Sequence, residues 1–290
     1  MKETISIKML NTLQKAKTQL SDEAIRHIID FVLSQMNDEH CFKNKGGQPD
    51  LYYTAFGWML CFILGIKTDV NKMRKYLDSL DIEKLDLIHY AAFVRCSILA
   101  DLSKNGKIIT WLGSLKSKKV KKLTDFSGIP HDNPQSPYSK FIWLSLLEDT
   151  GNKLKDKSSF ITEVEEYRLP NGGYRNLSKG LGATTNATVA ALSVLGQLKG
   201  YETNRNVDFL RNLQQANGGF QGASASPVPD ILSTATALFM LQCYGQKPKY
   251  DPEDFLEAHW LDSGGFCPTL IDETSDVEYT FYGLLALGTL

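Results

Sequence analysis

Three aspartates, Asp50, Asp230 and Asp276, each open an apolar helical stretch and are each followed four residues later by a threonine, Thr54, Thr234 or Thr280. Glu278 stands two residues beyond the last of them. Carboxylates gathered on one arc of a fold do one of two things. Their repulsion raises at least one pKa and makes a general acid, or they recruit a divalent cation such as Mg²⁺. Asp230, Asp276 and Glu278 are therefore the candidate catalytic acids, with Asp50 completing the arc. The same pattern also reads as helix capping, because an Asp oxygen just ahead of a helix accepts a backbone N–H for about 1 kcal/mol. His89 is a candidate base or ligand facing this arc, and Arg95, two turns deeper on the same helix, needs a partner if buried. Cys41, Cys61, Cys96, Cys243 and Cys267 are odd in number and contain no CxxC pair, so they suggest neither a disulfide framework nor a local zinc clip.

What must position these residues is a repeat. Gly172-Gly173-Tyr174, Gly218-Gly219-Phe220 and Gly264-Gly265-Phe266 recur every 46 residues. Each is preceded by a short helical pattern and followed by a second helix that starts at Thr184, Asp230 or Asp276. The frame runs back to Asp50, Asp86 and Ser136, with first helices over Ala24–Met36, Val70–Leu80, Ile108–Lys116, Phe160–Arg168, Val207–Gln215 and Pro252–Trp260. A lone hairpin cannot bury both of its helices, so neighbours must stack until the array closes. The expected fold is all-α: an α/α barrel (toroid) of about six helical hairpins over residues 22–290, with residues 1–21 as an N-terminal helical extension.

Helical periodicity then assigns faces. Ala237, Leu238, Gly283 and Leu284 form the stripe expected against the outer helices, which leaves offsets two, three and six from each capping slot for the lumen. Those offsets place Tyr52, Tyr53, Phe56, Glu278, Tyr279 and Tyr282 on one wall. Asn186, Ala187, Ala190, Leu232, Ser233 and Thr236 fall on the other. One wall is aromatic and the other is small, a cavity suited to an elongated apolar ligand, with aromatic faces able to stabilise cationic carbon. The alternative is that the aromatics meet at the axis and fill it.

Composition narrows the partners. With 32 Lys+Arg against 33 Asp+Glu the chain lacks the basic balance of a nucleic-acid binder. Its one basic run, Lys116 to Lys122, reads as solvated surface. The longest apolar run, near Ala55 to Ile66, is too short to span a bilayer, and residues 1–20 lack a signal-peptide core. A cytoplasmic location is expected.

Leu210-x3-Gln214-x3-Gly218-x-Phe220 resembles the glutamine and aromatic repeat of squalene and oxidosqualene cyclases, while GGFQG followed by Asp230, and DVEYTFYGLLALG, resemble protein prenyltransferase β-subunits. The likeness spans roughly residues 22–290. It implies the barrel fold and an isoprenoid in the lumen. It also implies a zinc site at the slots that here hold Asp230, Leu232 and Tyr279, and a diphosphate clamp at the slots that hold Ser224, Pro227, Tyr138 and Asn186. Zinc lacks two of its three protein ligands and the diphosphate lacks its cations, so zinc-dependent protein prenylation is disfavoured. No DxDD acid motif of the cyclases is present. Prenyltransferase β-subunits pair with a helical-repeat α-subunit, and nothing in this sequence marks a docking face for one. The expectation is a prenyltransferase- or terpene-cyclase-like barrel that binds an isoprenoid-like apolar chain and processes it at the acidic rim, or else a non-catalytic lipid-binding or protein-interaction barrel. Six-hairpin barrels also serve glycoside hydrolases, but a lumen of Tyr and Phe beside Ala and Leu disfavours sugar.

Overall fold

A computed structural model describes residues 3–105, 129, 133–177, 182–201 and 207–290. Among them are twelve α-helices and no strand: α1 (Ile5–Gln19), α2 (Asp22–Gln35), α3 (Leu51–Leu64), α4 (Val70–Ser79), α5 (Leu87–Asn105), α6 (Pro137–Asp149), α7 (Lys157–Glu165), α8 (Thr185–Lys199), α9 (Val207–Asn212), α10 (Ile231–Cys243), α11 (Glu253–Ala258) and α12 (Val277–Leu287). The expected outer helix at Ile108–Lys116 and the basic run to Lys122 lie outside the described residues.

The inner helices α3, α5, α6, α8, α10 and α12 touch in that order, and α12 returns to α3, so the ring closes. These helices are apolar around most of their circumference because one side faces the lumen and the other an outer helix. The described outer helices α2, α4, α7, α9 and α11 bury a single stripe, such as Ile28, Phe31 and Val32 on α2. Closure is visible at the last turn. Gly264 adopts φ +90°, which a side chain strongly disfavours, and a Cβ on Gly265 would lie 2.6 Å from the ring of Phe31 on the first hairpin. Gly219 meets Phe255 of the following hairpin in the same way. The sixth hairpin therefore packs on the first as each packs on its successor.

In four of the six hairpins a threonine at offset four of the inner helix ties the turn down. The amides of Phe42, Tyr174, Phe220 and Phe266 donate to the hydroxyls of Thr54, Thr188, Thr234 and Thr280 at 2.9–3.2 Å. Helix α1 lies across the C-terminal ends of the inner helices. Ser6 bonds Asp149 at 2.9 Å, Thr12 bonds Gln242, and Lys17 reaches the carbonyl of Ile63. It stoppers one end of the ring. No described helix is long and apolar enough to cross a membrane.

Candidate functional site

The rim opposite α1 is built from the N-termini of the six inner helices, and every one is capped by the residue in the shared slot. Asp230 Oδ1 accepts from the Ser233 amide at 2.7 Å and Asp276 Oδ1 from the Tyr279 amide at 2.8 Å. Asp50 Oδ1 accepts from Tyr52 and Tyr53, and Asp86 Oδ1 from His89. Ser136 and Thr184 do the same work on α6 and α8 with a hydroxyl. That serine and threonine substitute for aspartate in the slot identifies its common role as capping. Among the described residues no three of His, Cys, Asp or Glu come together as metal ligands.

Burial dominates the electrostatics of these acids. It pushes the carboxyls of Asp230, Asp276 and Glu278 above their ordinary values, against the hydrogen bonds each accepts. Asp276 Oδ2 is buried with no hydrogen-bond partner. Glu278 accepts from the Tyr52 hydroxyl at 2.6 Å.

Inside the rim lies a cavity of about 320 Å³. Ile5 and Met9 of α1 form its floor. One wall is aromatic: Phe56 packs on Tyr52, Phe281 and Tyr282 with ring centroids 5.0, 5.0 and 5.7 Å apart. The other is lined by Val189, Ala190 and Leu232, with Asn186 and Thr236 as polar points. Of the expected binding residues, Tyr52, Phe56, Asn186, Leu232, Thr236 and Tyr282 line this space.

Tyr53, Tyr279 and His89 do not line it, nor do Ala187 and Ser233, and all five share offset three. At 100° per residue, offsets two, five, six and nine cluster on one face, whereas offset three points well over 90° away from the middle of that face. His89 sits at the outer rim and contacts Asp86 at 2.8 Å. Tyr279 lies beneath Lys45, whose Nζ is 4.9 Å from the ring centroid and which also pairs with Asp272 at 3.3 Å. Glu278 is turned aside behind Tyr52 and is absent from the wall, as are Asp50, Asp230 and Asp276.

The offsets that sequence reasoning missed, five and nine, bring in Ala55, Met59, Phe239 and Leu285. They also bring in Arg95, the one charged side chain on the wall among the described residues. Its guanidinium donates to Ser145 Oγ at 3.2 Å and stands 3.8 Å from the fully buried Asp149, the partner that its depth required. Tyr138, at offset two of α6, also lines the cavity. The repeat carried that signal: Ser136 fixes the slot, and counting from it places Tyr138 inside.

A closed ring of α/α hairpins around an apolar, one-ended lumen defines a toroid with an internal ligand space. The chain belongs to the prenyltransferase alpha-alpha toroid domain family, whose model matches residues 4–290. Among solved structures it is similar to a protein from Actinoplanes, at 13% identity over 92% of this chain and 98% of that one, with a TM-score of 0.56. A second similar structure is Candida albicans protein geranylgeranyltransferase-I complexed with GGPP, at 15% identity over 98% of this chain and 82% of that one, with a TM-score of 0.46. No curated protein matches the sequence.

Proposed function

We propose that this protein holds one apolar chain of isoprenoid type in its lumen and that its role is binding in preference to processing. The observation that carries the reading is the cavity itself: about 320 Å³, floored by α1, with an aromatic wall facing an aliphatic one. A space of this size lies at the lower end of those that hold small organic ligands, so a single short terpenoid chain suits it. Holding is favoured over processing because, among the described residues, the wall carries no carboxylate, histidine, cysteine or lysine to act on the chain.

The test is displacement of an environment-sensitive apolar dye from the purified chain by a fifteen-carbon terpenoid, in wild type and in Ala190→Trp, whose indole would occupy the lumen. Retained displacement in a folded Ala190→Trp variant would overturn the lumen as the site. Incubation with prenyl diphosphates, with and without Mg²⁺, followed by mass spectrometry of the organic extract, addresses processing. A new product that vanishes in Glu278→Gln would replace binding with catalysis.

A further inference from the structure

The lumen is apolar but not featureless. Tyr138 of α6 and Tyr282 of α12 come from opposite sides of the ring, and both line the cavity. Among the described residues neither phenol hydroxyl forms a hydrogen bond, whereas the third phenol, Tyr52, is committed to Glu278. Both hydroxyls open on the cavity, and a ligand that displaced the water there without offering them a partner would leave each unsatisfied at a cost of about 1–3 kcal/mol, so the pair marks a place where a ligand's polar atom is wanted.

The charge of that place sets the ligand class. Arg95 is the one cation on the wall, and it already faces Ser145 and the buried carboxylate of Asp149. Lys45 is held at the rim by Asp272 and the ring of Tyr279, away from the cavity. Glu278 stands behind Tyr52 and would repel an anion near the phenols whenever it is ionised. A diphosphate needs several unpaired cations to repay its dehydration, and the described wall offers only Arg95, whose charge Asp149 already balances although its Nε has no hydrogen-bond partner. A phenol hydroxyl both donates and accepts, which matches a hydroxyl or carbonyl oxygen. Burial holds the phenols of Tyr138 and Tyr282 above their ordinary pKa, so they stay neutral donors at physiological pH.

We propose that the bound chain carries a single neutral oxygen, as an alcohol, aldehyde or ketone, seated between the hydroxyls of Tyr138 and Tyr282, and that prenyl diphosphates are discriminated against. This assignment rests on the reading of the lumen as a site for an apolar chain.

Three probes with the same fifteen-carbon chain test it: farnesene, farnesol and farnesyl diphosphate, each titrated against the dye-loaded full-length protein. Farnesol should bind at least tenfold more tightly than either of the others. In the Tyr138→Phe/Tyr282→Phe double variant that advantage should disappear while farnesene binding is unchanged, which also reports that the variant is folded. Diphosphate binding tighter than alcohol, or an alcohol advantage that survives the double variant, overturns the head-group assignment alone. Equal binding of farnesol and farnesene by wild type does the same, since water then satisfies the phenols. Failure of all three probes to displace the dye removes the lumen reading and this inference with it.

Discussion

Asp276 distinguishes architecture from chemistry at the rim, and the two predict opposite orders for two substitutions. As a cap, its Oδ1 satisfies the Tyr279 amide at 2.8 Å in a place only 4% exposed, so Asp276→Ala leaves a buried N–H unpartnered. Loss of a cap costs about 0.5–2 kcal/mol. Near the unfolding midpoint, 1 kcal/mol moves Tm by about 2–4 °C in chains approaching this size, so a drop of roughly that amount is expected. Asparagine caps as well as aspartate, and its neutrality removes a penalty. Burial raises the folded-state pKa of Asp276, so its stabilising contribution is full below the unfolded-state value near 4 and is lost as pH rises through the folded value. At pH 7.5 Asp276→Asn should therefore melt at or above wild type, while Asp276→Ala melts below it. Thermal melts followed by circular dichroism at 222 nm decide the matter, with Asp230 as a second instance. An Asn variant as unstable as the Ala variant would refute the capping account. So would an Asn variant that melts like wild type but no longer converts a prenyl substrate that the wild type converts.

Glu278→Gln should flatten the pH dependence of stability. Burial raises its folded pKa, so the wild type loses this contribution as pH rises, and the variant's advantage in Tm should be larger at pH 8 than at pH 5. Gly265→Ala places a methyl 2.6 Å from the ring of Phe31 at the ring closure, and overpacking of this kind costs about 1–3 kcal/mol. Urea unfolding should show that loss, and adding Phe31→Leu should recover part of it. Thr234→Val removes the acceptor for the buried Phe220 amide, with an expected loss of about 1–3 kcal/mol, whereas Thr234→Ser should retain most of the stability.

The toroid was legible because its devices repeat. The capping slot recurs in all six inner helices, the threonine at offset four in four of them and the Gly-Gly-aromatic turn in the last three hairpins, each making the same contact wherever it appears. Asp50, Asp230 and Asp276 were correctly placed at helix starts, and their reading as acids competed with a reading as caps that is realised in all six inner helices. The lumen was only partly legible. Offset six lines the cavity in all six inner helices and offset two in all but α12, where Glu278 turns away, whereas offset three stays outside and five and nine come in. The inner helices are apolar on nearly every face, so hydrophobicity alone does not say which face looks inward. Arg95 is the informative exception: a charge at offset nine in an otherwise apolar helix must point to a partner, and the face it marks is the lumen face.

On the proposed reading of the lumen, the positions that do not repeat carry the specificity. At offset two the six inner helices present Tyr52, Ile88, Tyr138, Asn186, Leu232 and Glu278. At offset six they present Phe56, Ala92, Ile142, Ala190, Thr236 and Tyr282. No contact common to all hairpins constrains these residues, so the fold tolerates any of them that fill the axis, and their differences are free to match a ligand. Cationic residues are missing from both sets, while phenols appear from α3, α6 and α12. The wall instead offers hydroxyls of moderate polarity on an aromatic surface. Specificity of that kind comes from leaving a hydroxyl unpaired when the wrong ligand binds, and it discriminates against a hydrocarbon by desolvation and against a diphosphate by missing charge.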